Sequence, residues 1–222
     1  MRTMRNIQHF VEVANYIVDE DLRAFVLHFL EECTPTYFWT DGASSSGKYH
    51  PKFAQGVGGL VRHTIAGAIF MEEVLRMSPY CYLTDEHKDF CRAAILLHDT
   101  RKYGKEHEPN KAEYKLHAPN AAFAVAEEWE VFFDFDSHAP EWLLSAIRSH
   151  MGQWSEKEHR PMTNIDRAVH TADYWASRSM IDIPGIMEKW EQIEKAGATP
   201  APTSPDETDL PFYIDEKISA DK

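Results

Sequence analysis

Five stretches of the chain repeat apolar residues every three or four positions, and each of the five apolar stripes also holds a histidine or an aspartate. His63 shares its stripe with Ala66, Gly67, Phe70, Val74 and Met77, and His98 lies at the end of one formed by Cys91, Ala94 and Ile95. His117 precedes Ala121, Ala124 and Val125; His150 follows Leu143, Ala146 and Ile147; Asp173 falls among Ile165, Val169, Ala172 and Ala176. This spacing puts each group on one face of a helix, and the apolar face is the one a helix turns to its core. The periodicity predicts helices over 59–77, 85–98, 117–132, 140–150 and 163–180. Further helix is expected over 6–32 and 186–195, and Thr163 with Asp166 resembles a capping box. Alternating, strand-like segments are scarce. The expected fold is therefore all-α, a helical bundle with polar groups aimed into its middle.

Burying a carboxylate or an imidazole without a partner is costly. One inward histidine is commonly a hydrogen-bonded core residue. Five helices showing the same pattern, with Asp99 beside His98, make that reading poor for the set. A shared cation resolves all the costs at once. Imidazole with carboxylate suits Mn, Fe, Ni or Zn, and the lack of cysteine among these positions argues against a closed structural zinc site. The expectation is a metal centre in the core holding one or two divalent ions.

The length of 222 residues suits one compact domain with an appendage. We expect a helical segment over 1–33 packing on the core, a Ser/Gly-rich loop over 34–58, the main domain over 59–196, and an acidic, proline-containing tail over 197–222. A net charge of −13 leaves no basic face for duplex DNA, although nucleotides or short single strands remain compatible with a metal site. Apolar runs are too short for a membrane span, and no apolar signal core follows the N-terminal charges. Cys33, Cys81 and Cys91 are odd in number without close pairing, so a reduced, cytoplasmic setting is expected. Oligomeric state leaves no mark on the sequence.

A His-Asp pair alone carries little in a chain with 12 histidines. The order His63, His98-Asp99, His117, His150, Asp173, however, resembles the HD superfamily of metal-dependent phosphohydrolases. Gly58-Gly59-Leu60-Val61-Arg62-His63-Thr64 is similar to that family's GGL-x-x-HT opening, and Leu96-Leu97-His98-Asp99-Thr100-Arg101-Lys102 to its LLHD-x-x-K element. Ser149-His150-Met151-Gly152 resembles an SHHG element with Met151 in place of the second histidine. Pro161-Met162-Thr163 ahead of Ala172-Asp173 is similar to bacterial HD-type 3′-to-5′ exoribonucleases, whose usual nucleic-acid module has no counterpart here. The resemblance spans 49–179.

The resemblance implies an HD-domain bundle in which His63, His98, Asp99 and Asp173 hold one metal. His117 and His150 match members with two, which is the favoured arrangement, with Asp99 bridging the ions. The implied activity is hydrolysis of a phosphate ester or anhydride, in a nucleotide or a short single-stranded nucleic acid, by metal-activated water. A mixed-valent di-iron oxygenase and a non-catalytic HD binding module are the alternatives on the same scaffold. Asp99 and Lys102 are the expected catalytic residues, Lys102 also binding phosphate. Lys48 and His50 lie in the Ser/Gly-rich loop, where they are expected to contact substrate and His50 to donate a proton to the leaving group. Arg62, Trp154 and Arg160 complete the expected substrate contacts, Trp154 by stacking on a base.

Overall fold

The computed structural model describes residues 5–44, 49–105, 111–134 and 137–196, with backbone alone at 111–115. Two short N-terminal helices come first, α1 (Gln8–Ala14) and α2 (Glu20–His28), and a π-helical turn (Phe29–Cys33) extends the second. They are followed by α3 (Thr36–Thr40), α4 (Gly59–Arg76), α5 (Asp85–Leu97), α6 (Lys111–Phe133), α7 (Glu141–Ser149), α8 (Asn164–Ala176) and α9 (Ile186–Ala196). Among the described residues there is no strand. The all-α reading holds.

Helices α4, α5, α7 and α8 pack on one another and form the centre; α6 lies on α7, α2 on α5, and α1 between α4 and α9. Their ends follow from local chemistry. Thr84 caps α5 by accepting from the His87 amide at 3.2 Å. At the start of α8, Thr163 Oγ1 accepts from the Asp166 amide at 3.1 Å while Asp166 Oδ2 accepts from the Thr163 amide at 2.9 Å, the reciprocal box expected. Helix α8 nevertheless stops at Ala176, short of the predicted 180, because Ser177 and Arg178 turn their side chains back to the Tyr174 carbonyl. Helix α6 begins earlier than predicted and runs through Pro119, at the cost of one i→i−4 hydrogen bond.

Within the loop expected over 34–58, residues 34–44 and 49–58 carry helix, turn and packed side chains. Tyr37, Phe38 and Trp39 are buried on α3, with Phe10 packed against Phe38 and Trp39. Three aromatics in a row offer too much apolar area to leave in water. Backbone bonds from Ala43 to Ala54 (2.9 Å) and from Leu60 to Asp41 (2.8 Å) then close the segment into a strap over the start of α4. The buried Arg62 guanidinium completes it, donating to the carbonyls of Phe53 (2.5 Å) and Gln55 (2.9 Å) under the ring of Trp190. Arg62, an expected substrate contact, thus directs Nε and Nη2 to holding the strap.

Gly59 makes this closure possible, since a Cβ there would stand 2.4 Å from the Ala54 carbonyl oxygen and 2.7 Å from its carbon. Backbone cannot step aside as a side chain can. Gly59→Ala is expected to destabilise the protein by about 1–3 kcal/mol, measured as a lower urea midpoint; an unchanged midpoint would show the strap to be slack.

The N-terminal helices are attached by a buried carboxylate. Asp89 on α5 accepts from the amides of Val18 (3.0 Å) and Asp19 (2.8 Å) and pairs with Arg92, which also grips Glu72 on α4 through two bonds.

Candidate metal centre

Helix ends position the polar groups. His63 lies in the first turns of α4, His98 caps the end of α5 with Asp99 next in chain, His150 caps the end of α7, and His117 and Asp173 lie within α6 and α8. His63, His98 and Asp99 have no exposed surface, His150 and His117 have 1% and 3%, and the Asp173 side chain has 18%, which places the open edge of the cluster at Asp173. The structure thus brings all six sequence-predicted positions into one buried cluster.

The ring orientations are determined by the backbone. Nδ1 of His98 lies 2.8 Å from the Ile95 carbonyl and Nδ1 of His150 lies 2.8 Å from the Ile147 carbonyl. A carbonyl only accepts, so each Nδ1 carries the proton and donates. The Nε2 lone pairs then face inward, as in metal-ligating histidines. His98 Nε2 lies 3.4 Å from His63 Nε2, and His150 Nε2 lies 3.0 Å from His117 Nε2. Nitrogens held this close, with lone pairs fixed inward on one member of each pair, suit a shared cation.

Asp99 divides the cluster in two. Its Oδ2 is 3.6 Å from Nε2 of both His63 and His98, and Asp173 Oδ1 is 3.1 Å and 3.5 Å from the same two nitrogens. Its Oδ1 faces His117 Nε2 at 3.2 Å and His150 Nε2 at 3.5 Å. Oδ1 is buried yet has no well-aligned hydrogen-bond donor, and neither does His63 Nδ1. Orphaned buried polar atoms are rare. Four imidazole nitrogens and two carboxylates therefore fit a divalent transition metal and could hold one.

Electrostatics point the same way. Burial would raise the carboxyl pKa of Asp99, but Lys102 and the histidines outweigh it and hold it well below the usual carboxylate range. Burial is likewise outweighed at Asp173 by His63 and His98. Burial would lower His98, yet Asp99 and Asp173 raise it, whereas burial takes His150 down to about 4. Both carboxylates are thus ionised at neutral pH, ready to ligate.

The surrounding expectations divide. Lys102 Nζ is 2.7 Å from Asp99 Oδ2, beside the cluster as expected. His50 packs edge-on against the His63 ring at 5.3 Å. Burial, His63 and Lys102 lower its pKa to about 3. It is therefore neutral at physiological pH and suited to hydrogen bonding, beside the cluster where it was expected to donate a proton to the leaving group. Trp154 ends a short 3-10 turn after His150, is 57% exposed, and stacks at 12° on Tyr174, the neighbour of Asp173. Arg160 is exposed beyond the next turn, and Lys48 lies outside the described residues.

Tyr174 was missed by the sequence reading, although its place beside a ligand, with Arg178 one turn later, was a usable signal. Arg178 covers the Tyr174 ring at 4.2 Å. Beneath this rim, His170 Nδ1 donates to the His150 carbonyl at 2.7 Å. Gly152 turns the chain there with φ +61°, where a Cβ would collide with the His170 ring at 2.1 Å.

The same arrangement of positions has a match among protein families. The HD domain, as a family, matches residues 60–177, from the first helix of the cluster to the end of α8. The chain belongs to the HD domain family. A relative named dihydroneopterin 2′,3′-cyclic phosphate phosphodiesterase, from Methanocaldococcus jannaschii, is 25% identical over 178 residues, covering 75% of this chain and 67% of that protein. No solved structure matches the chain. The HD domain match and this relative together make the protein an HD-superfamily phosphohydrolase. No helix among the described residues is long and apolar enough to cross a membrane.

Proposed function

We propose that the protein hydrolyses a small phosphodiester, a cyclic or short linear nucleotide or a related heterocyclic phosphate, using two divalent cations. His63, His98 and Asp173 would hold one, His117 and His150 the other, and Asp99 would bridge them. The observation that carries this reading is the division of Asp99: each of its oxygens faces its own pair of histidine nitrogens at 3.2–3.6 Å. Where bound, such ions act as Lewis acids and generate hydroxide from water at neutral pH.

The chain's own residues supply the rest. The Nδ1–carbonyl bonds of His98 and His150 keep those rings from turning, so the donor set is preorganised. Lys102, 2.7 Å from Oδ2 and 16% exposed, is within reach of an anion at that carboxylate and is suited to stabilise charge developing on the phosphate. Neutral His50, edge-on to His63, offers a hydrogen bond beside the cluster. The Trp154–Tyr174 face, beside the open edge at Asp173, suits a planar heterocycle. The name of the Methanocaldococcus jannaschii relative supports a cyclic phosphate attached to such a ring. The net charge of −13 keeps long nucleic acids out of the expected substrates.

Elemental analysis after manganese or iron loading tests the arrangement. Two ions per chain are expected in the wild type and one in His117→Ala, with hydrolysis of 2′,3′-cyclic phosphates exceeding that of nucleoside triphosphates. A single ion retained by the variant would remove His117 and His150 from the metal site.

A further inference from the structure

A second group of donors meets on the flank of the bundle. His28 ends α2, Cys33 ends the π-turn, and Glu128 lies on α6. One ligand atom from each lies within 4.8 Å of the others. His28 Nε2 is 2.8 Å from Glu128 Oε1, and the Cys33 thiol lies beside the same carboxylate. Glu128 stands about 16 Å along α6 from His117, at 1.5 Å per residue, so this group is separate from the core centre.

The backbone is distorted where the group forms. Cys33 lies five positions after His28, and about 100° per residue in an α-helix would leave them roughly 140° apart. The chain instead takes a π-helical turn over Phe29–Cys33. Its i→i+5 hydrogen bonding stacks residues five apart, bringing Cys33 under His28. Such turns are rare and frequent at functional sites.

We propose that His28, Cys33 and Glu128 form a second metal site, binding one borderline-soft divalent cation such as zinc and clasping the N-terminal helices to α6. Nitrogen, sulfur and oxygen donors are the zinc set, with water as fourth ligand. The side chains of His28 and Glu128 are 33% and 24% exposed, which leaves a way in for ion and water. On binding, the thiol proton passes to solvent as the sulfur–metal bond forms, and thiolate with carboxylate balances the divalent charge. Glu32 adds to the attraction and Arg101, which holds the Cys33 carbonyl at 3.0 Å, opposes it. Without the ion, burial and Glu128 push the thiol up to about 12, so Cys33 is a poor nucleophile.

Cobalt(II) titration of the full chain separates this site from the core centre, whose donors include no sulfur. A thiolate-to-cobalt charge-transfer band is expected in the wild type and in Cys81→Ser, and none in Cys33→Ser. Affinity read from that band is expected to fall at least about tenfold in Glu128→Gln and in His28→Asn. Zinc should abolish the band and slow alkylation of Cys33, while phosphodiester hydrolysis by Cys33→Ser stays unchanged. Absence of the band in the wild type, its persistence in Cys33→Ser, or its indifference to both other substitutions would overturn the site, leaving the core centre unaffected.

Discussion

Asp99→Ala is expected to lower phosphodiester hydrolysis by on the order of a thousandfold and to empty the core centre of metal. Its two oxygens face the two halves of the cluster: Oδ2 addresses His63 and His98, Oδ1 addresses His117 and His150. Metal ions supply several kcal/mol of transition-state stabilisation, and each ~1.4 kcal/mol is a factor of ten in rate. Removing the carboxylate also leaves the Lys102 ammonium, 2.7 Å away in the native protein, facing four imidazoles with less negative charge to hold it. Cation affinity falls on both counts. Asp99→Asn keeps the volume and loses the charge, so a matching loss in that variant assigns the effect to ligation rather than to a cavity. Turnover within tenfold of wild type, with two ions still bound in Asp99→Ala, would sink the bridging role.

Metal loading is expected to raise thermal stability by about 4 kcal/mol per site at a thousand times the dissociation constant. For a domain of this size that is on the order of 10 °C in melting temperature. The gain should shrink as pH falls, because ligands must shed protons before binding. His98, raised by Asp99 and Asp173 above its ordinary value, must give up any proton on Nε2 before that atom can ligate.

The metal-free protein should also weaken in acid. His150 has a folded pKa of about 4 against an ordinary 6.5, so between those values the unfolded chain binds the extra proton and stability declines as pH drops. Asp99 and Asp173, depressed in the fold, contribute stability above the ordinary carboxylate pKa that is lost as pH falls below it. His98 acts oppositely: its contribution is full below its ordinary pKa and lost as pH rises through the raised one. Melts with and without manganese across this range, against an EDTA control, measure both effects. Coincident melts at neutral pH, or a gap that widens in acid, would contradict metal binding at this cluster.

Much of this was legible before any coordinates. The helices carrying the cluster follow from apolar spacing, because burying one stripe is the main reason an amphipathic helix forms in a folded chain. The cluster was legible for the opposite reason, since a charged group on an apolar face is an expense that demands a partner. Arg62 shows where such reading stops. Its neighbour His63 is a cluster member, yet one step along a helix turns a side chain by about 100°, and the Arg62 guanidinium ends under Trp190 from the far end of the chain. His50 could be placed near the site, but its protonation depends on burial beside His63 and Lys102. Tyr174 acquires its place only because Trp154 folds back onto it.

By itself, then, the sequence determined the helical class, the inward positions and the family, all of which rest on periodicity and residue type along one element at a time. Tertiary structure alone decided how Asp99 divides its oxygens, which way each imidazole faces, and that His28, Cys33 and Glu128 meet. Those depend on where helices end, on carbonyls such as those of Ile95 and Ile147, and on a π-turn that shifts one residue onto a new face. Local pattern specifies which face is buried; only the packing of separate elements specifies what that face meets.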